Sequence, residues 1–216
     1  LPIVALVGTN NLSTAIIILG IAVIVVFVSD KRYMQFVWIA AAGAGMMALF
    51  LGMESYRLER IAIWKNPEAY EKGYQTIQGL YAIGSGGLFG RGFGESIQKL
   101  GFVPEAQNDM IFSIICEELG FVGATILMLV FLVLIWRFMV IAVHAPDLFG
   151  SLIAAGAMGH IAIQVILNVA VVTNTIPNTG ITLPFISYGG TSVLFLLSEM
   201  GLVLAVSRWQ SEKKCI

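Results

Sequence analysis

Of 216 residues, 58% are hydrophobic and 12% charged, with a formal net charge of −1 and a mean hydropathy of +0.88. A soluble domain usually carries about a quarter charged residues, so this composition excludes one soluble core and points to a multi-pass membrane protein. The near-neutral balance also argues against nucleic acid as a partner.

The chain opens at Leu1 on apolar residues with no basic segment ahead of them, so it reads as a fragment without a signal peptide. Residues 1–7 are apolar but too short to span. Five runs are near the ~20 residues that cross a bilayer: about 12–28, 34–53, 110–143, 148–173 and 188–206. The expected fold is therefore an all-α, polytopic transmembrane helix bundle forming a single membrane domain. Residues 54–109 are polar, Gly-rich and charged, and read as one large loop. Lys31 and Arg32, Arg137 and His144, and Arg208, Lys213 and Lys214 fall on one side of such a bundle. Basic residues in short connections mark the cytoplasmic side. The C-terminus is then cytoplasmic and the loop 54–109 external.

That loop contains Trp64, Tyr70, Tyr74, Tyr81, Phe89 and Phe93, a content that a disordered tether avoids. AIGSGGLFGRGFG (82–94) invites comparison with a phosphate loop. No Lys followed by Ser or Thr completes that motif, and the G-x-G-x-x-G spacing is not met from Gly84. A tightly folded or re-entrant loop needing positive φ is the simpler reading. In a softer functional reading, backbone N–H groups with Arg91 or Lys99 sit near an anionic group.

Asp109 stands directly before the third long run. It reads as a helix N-cap, or as the mouth of a polar stripe formed with Ser113, Cys116, Glu117 and Gly120 on one helical face. Glu117 lies about 12 Å further along that helix. A span beginning at Leu119 leaves both acidic turns above the membrane. His160, Gln164 and Asn168 recur at i, i+4 and i+8, the pattern of interhelical hydrogen bonding. Glu199 is the most clearly intramembrane acid, which reads as a functional group or as the structural partner of a residue such as His160. The stretch 173–192, with two prolines, Gly180 and the Gly189-Gly190 pair, fits an external turn or re-entrant segment. Cys116 and Cys215 are far apart and suggest neither a metal site nor a disulfide.

The stretches GYQTIQGLYAIGSGGLFGRGFGESIQKLGFVPEAQNDMIF (73–112) and NVAVVTNTIPNTGITLPFISYGGTS (168–192) closely resemble the SEDS family of FtsW, RodA and SpoVE proteins. The second is similar to its signature around P-x-x-G-I-T-x-P-F-x-S-Y-G-G. The wording SIQKLGFVPE is more like the division and sporulation branch.

The resemblance implies the C-terminal half of a roughly ten-helix fold and a peptidoglycan glycosyltransferase. Such enzymes polymerise lipid II, an undecaprenyl-diphosphate-linked disaccharide-pentapeptide, outside the cytoplasmic membrane beside a class B penicillin-binding transpeptidase. By position Asp109 matches the essential acid of the family's P-E-x-x-T-D-F-I-F motif, and Glu105 its Glu. A divalent cation, Mg²⁺ or Mn²⁺, is implied, with Asp109 as a contact.

Arg91, Lys99, Gln98, Tyr74, Gln75, Ser187, Tyr188, Gly189 and Gly190 are the expected substrate-binding residues, with Glu117, Glu118 and Asn168 in support. Departures are Asn108 for Thr, Met110 for Phe, Gly79 for Ser, Asn174-Thr175 for Gly-Leu, and Asn178 for Thr or Val. Two other readings stand beside catalysis. A flippase of the same lipid would depend on Glu199, His160 and Gln164, and a non-catalytic scaffold for the transpeptidase would depend on none of the acids.

Overall fold

The computed structural model describes residues 4, 6–8, 11–29, 34, 37–38, 41–43, 45 and 55–214, and the side chains of 59–210 within the last range. Most of the expected span 34–53, the basic pair Lys31 and Arg32, and Cys215 lie outside the described residues. Among the described residues the fold is helices and turns, with no strand.

Among the described residues the helices with defined bounds are, in order, α1 Leu12–Ser29, α2 Ser55–Lys65, α3 Tyr74–Gly86, α4 Ile111–His144, α5 Leu148–Val172 and α6 Gly190–Lys214. Four of them are long and apolar enough to cross a membrane: α1, α4, α5 and, in α6, Gly190–Gln210. The backbone polar groups of such segments have no water to turn to and must bond within the helix. This is why β-branched runs such as IIILGIAVIVV (16–26) are helical here despite modest intrinsic propensity.

Polar residues mark the helix ends. Asn11 Oδ1 accepts from Thr14 N at 3.1 Å, and Asp147 Oδ1 accepts from Gly150 N at 3.1 Å, both as N-caps. α5 ends in a Schellman-type turn, with Asn174 N donating to Val171 O (2.9 Å) and Thr175 N to Ala170 O (2.8 Å). Asn174 takes the left-handed conformation that this turn requires (φ 54°).

The chain forms two compact units. The first comprises Leu1–Leu51, Leu132–Ile163 and Gly190–Ile216. In it α1 and α5 pack through small residues: a Cβ on Gly20 would meet Ile163, and one on Gly159 would meet Ile24, each at 2.5 Å. Such glycines let two helix backbones approach closely. The same unit holds the paired His160 Nδ1 and Glu199 Oε2, 2.8 Å apart.

The second unit comprises Gly52–Phe131 and Gln164–Gly189. Residues 54–109, read from sequence as a loop, here carry α2, α3 and three short 3₁₀ turns at Pro67–Ala69, Glu71–Gly73 and Gln98–Leu100. α4 is broken at Gly120 (φ 67°, ψ −169°), so an acidic leg (111–119) precedes an apolar one (121–144).

Candidate active site

The pocket of the second unit has a volume of about 290 Å³ and is lined by Glu59, Arg60, Ile63, Trp64, Lys72, Gln75, Thr76, Asp109, Asn174, Asn178 and Gly180. α2 supplies one wall through residues at i, i+1, i+4 and i+5, a single helical face. α3 supplies Gln75 and Thr76, and the connection after α5 supplies Asn174, Asn178 and Gly180.

Hydrogen bonds join these walls. Trp64 Nε1 donates to Asn174 O at 2.9 Å, and Arg60 Nη1 to Asn178 O at 3.1 Å. Asn178 Nδ2 donates to Gln75 Oε1 at 3.1 Å, while Gln75 Nε2 reaches Pro104 O at 3.1 Å and Asp109 Oδ1 at 3.4 Å. Lys72 Nζ and Glu59 Oε1 form an ion pair at 2.9 Å.

Asp109 is held by its main chain. Three successive carbonyls are each met by a donor from the far side of the unit. Tyr188 N donates to Gln107 O at 2.8 Å, Ser187 Oγ to Asn108 O at 2.6 Å, and Asn168 Nδ2 to Asp109 O at 2.7 Å. Asn168 Nδ2 also donates to Ile181 O at 2.7 Å, and Ser187 Oγ accepts from Leu183 N at 2.7 Å. With its main chain fixed, Asp109 turns its carboxylate toward Gln75 and the pocket.

Burial raises the pKa of Asp109 above its ordinary value, because desolvation disfavours the charged form. The Glu105 carboxylate adds to this, while the N–H groups of Asp109 and Met110 and the Gln75 amide oppose it.

The expected site residues do not gather in one place. Asp109 and Gln75 line the pocket. Glu105 is exposed and takes a hydrogen bond from Asn108 Nδ2, so it acts on Asp109 through its field. Asn168, Ser187 and the backbone of Tyr188 hold the 107–109 segment, whereas the Tyr188 ring is exposed.

Arg91, Gln98 and Lys99 gather with Glu117 and Glu118 instead. Glu117 is buried and accepts from Ser96 Oγ (2.5 Å), Ile97 N (3.3 Å) and Gln98 N (3.2 Å). Arg91 Nη1 stands 3.7 Å from it, and Lys99 Nζ pairs with Glu118 at 2.7 Å. Tyr74 opens α3 with a half-exposed ring. Gly189 ends the second unit, and Gly190 opens α6 in the first.

Sequence reading missed Arg60, Trp64 and Lys72 as pocket residues. The spacing of Glu59, Arg60, Ile63 and Trp64 on one helical face was the available signal.

The family model described as cell cycle protein, that of FtsW, RodA and SpoVE, matches residues 1–212. Over 202 residues the chain is 47% identical to stage V sporulation protein E of Bacillus subtilis, covering 92% of this chain and 55% of that protein. Over 204 residues it is 41% identical to a protein named probable peptidoglycan glycosyltransferase FtsW in Trichlorobacter lovleyi, covering 91% and 52%. The chain thus spans about half the length of these relatives.

Among solved structures, a chain of a complex described as a peptidoglycan synthase, studied for how polymerization and crosslinking are coordinated, matches with a TM-score of 0.76 at 31% identity. That match covers 96% of this chain and 59% of the other. A point mutant of the rod shape determining protein RodA of Thermus thermophilus matches with a TM-score of 0.64 at 30% identity, covering 96% and 54%. With a family match over nearly its full length and this fold, the chain belongs to the FtsW/RodA/SpoVE family of cell cycle proteins.

Proposed function

We propose that the chain carries the acid-bearing part of a peptidoglycan glycosyltransferase that polymerises lipid II at the outer face of the cytoplasmic membrane. The observation that carries this reading is Asp109, a partly buried carboxylate that lines one pocket with two cations, Arg60 and Lys72. FtsW relatives named as peptidoglycan glycosyltransferases support it, as does the structural match to a chain of a peptidoglycan synthase complex.

In the proposed reaction, the 4-hydroxyl of one lipid-linked sugar attacks the anomeric carbon of another. The new C–O bond forms as the bond from that carbon to the diphosphate oxygen breaks, and undecaprenyl diphosphate leaves with the electron pair. Asp109 accepts the hydroxyl proton, a role for which a raised carboxylate pKa brings basicity closer to neutral pH. Arg60 offsets the charge that develops on the diphosphate, with Lys72 beside it held by Glu59. Trp64 and Ile63 give the pocket an apolar side.

The divalent cation that the family resemblance implies would meet few protein donors here. Among the described residues no group of three or more His, Cys, Asp or Glu is arranged to hold an ion, and Glu59, the other pocket carboxylate, is paired with Lys72. Among the described residues the pocket lining does not by itself build a metal site, and no step is routed through one. The proposed partner is a class B penicillin-binding transpeptidase. The test is polymerisation of lipid II by the purified full-length parent, wild type against Asp109→Ala. A variant that polymerises at the wild-type rate removes Asp109 from the mechanism.

A further inference from the structure

The loop after α3 runs along the break in α4 and completes its hydrogen bonds. Arg91 N donates to Glu117 O and Gly92 N to Glu118 O, both at 3.0 Å, on the near side of Gly120. Beyond the break, Phe121 N donates to Gly87 O at 2.9 Å and Val122 N to Leu88 O at 3.1 Å. A helix interrupted at one residue leaves carbonyls and N–H groups without helical partners, and the loop supplies them.

This pairing fixes the height of the loop. Phe121 and Val122 begin the apolar leg of α4, residues 121–144, about 36 Å long at 1.5 Å per residue and so sufficient for a hydrocarbon core of about 30 Å. Main chain bonded to the first two residues of that leg sits where it enters the bilayer. The loop is also held rigidly from beneath by buried Glu117, through Ser96, Ile97 and Gln98.

From this fixed backbone, large apolar side chains project outward. Phe93 is 87% exposed, Phe89 81%, Leu100 76% and Leu88 64%. In the apolar leg bonded to this loop, Phe121, Ile126, Leu129 and Val130 are also exposed. Irregular backbone is tolerated at membrane depth only when its polar groups are satisfied. The main-chain bonds to α4 satisfy the carbonyls of Gly87 and Leu88 and the N–H groups of Arg91 and Gly92.

We propose that Leu88, Phe89, Phe93 and Leu100 insert among the phospholipid acyl chains at that end of α4, giving this unit an interfacial membrane contact beside its spans. The proposal depends on α4 crossing the bilayer and not on the reaction at Asp109. Its consequence is mechanical. The insertion anchors the loop that precedes Asp109 at the lipid surface.

Spin labels on the full-length parent, reconstituted in vesicles of phosphatidylethanolamine and phosphatidylglycerol, test this directly. Cys116 is buried and stays, and Cys215 is replaced by Ser. Labels at Phe89→Cys and Phe93→Cys are compared with Ile126→Cys on the span and Glu68→Cys on the exposed turn before α3. Power saturation compares collisions with oxygen, which partitions into lipid, and with a nickel chelate, which stays in water. The expected result is several-fold oxygen preference at 89 and 93, as at 126, and the reverse at 68. Nickel preference at 89 and 93 overturns the proposal. So does exclusion of both reagents, which means that protein covers the patch. A Phe93→Trp variant, quenched by brominated phospholipid, provides the same readout without a cysteine label.

Discussion

Asn168 holds Asp109 by the main chain: its side-chain nitrogen donates to the Asp109 carbonyl and to the Ile181 carbonyl, each at 2.7 Å. One fully buried amide thereby ties the start of α4 to the Gly180–Leu183 segment. Asn168→Ala strands both carbonyls, and an unmet buried polar group costs about 1–3 kcal/mol. The variant should unfold at lower temperature and polymerise at least ~10-fold more slowly, since positioning errors near 1 Å are worth about 100-fold. Thermal unfolding and a glycan-polymerisation assay on the full-length parent check both outcomes.

Glu105 and Asp109 give a pH prediction. Burial raises the Asp109 pKa, and the Glu105 charge adds to it. As a base, Asp109 must be ionised, so the rate falls as pH drops through that raised value. Glu105→Gln removes the repulsion, eases ionisation and should move the acid limb of the pH–rate profile to lower pH. Movement to higher pH would contradict the electrostatic role of Glu105.

The same shift has a stability consequence of definite sign. A folded carboxyl that keeps its proton to higher pH than the unfolded one stabilises fully below the ordinary value of 3.8. That contribution is lost as pH rises through the folded pKa. Asp109→Asn removes the penalty of a buried charge, so at neutral pH it should be at least as heat-stable as wild type while inactive. Melting curves at two pH values test this.

Gly120 and Glu117 hold the same loop. A Cβ on Gly120 would run into the backbone of Leu88 and Gly90, and its φ of 67° disfavours other residues by roughly 1–2 kcal/mol. Gly120→Ala should therefore open the loop to proteolysis between 87 and 102. Glu117→Gln weakens charge-assisted bonds worth about 1.5–3 kcal/mol each and should do the same. Because both act on one loop, the double variant should lose less than the sum of the singles.

In the first unit, His160→Leu or Glu199→Leu alone leaves the other partner unpaired, a loss of about 3–5 kcal/mol for a buried pair and less for this partly exposed one. The double replacement should recover most of that stability with polymerisation unchanged. If the double variant is stable but inactive, the pair has a functional role of the kind a lipid transporter needs.

Much of the membrane architecture was legible because long apolar runs have few alternatives. The helices α2 and α3 were not, since a Gly-rich, charged stretch carries weak periodicity and both pack on the short turns at Pro67–Ala69 and Glu71–Gly73 that join them. Asp109 was found through its motif. Its neighbours Arg60 and Lys72 come from a different helix and turn, and no local spacing links them to it.

Arg91, Gln98 and Lys99 were read as substrate contacts. Their observed partners, Glu117 and Glu118, lie 19 residues on for Gln98 and Lys99 and further still for Arg91, separations that composition does not reveal. Two departures from the family pattern become one in the structure, because the Met110 methyl occupies the space that a Cβ at Gly79 would take. Asn174 in place of Gly is explained by the left-handed turn that ends α5.

Asp109, held by its main chain and facing the pocket, is the residue proposed to take the proton in glycosyl transfer. The most direct test is lipid II polymerisation by the full-length parent in vesicles, wild type against Asp109→Ala, with folding of the variant confirmed by its melting curve. The account predicts a folded variant with a rate reduced at least ~100-fold, the range for loss of a general base. A folded Asp109→Ala protein that polymerises at the wild-type rate would contradict it.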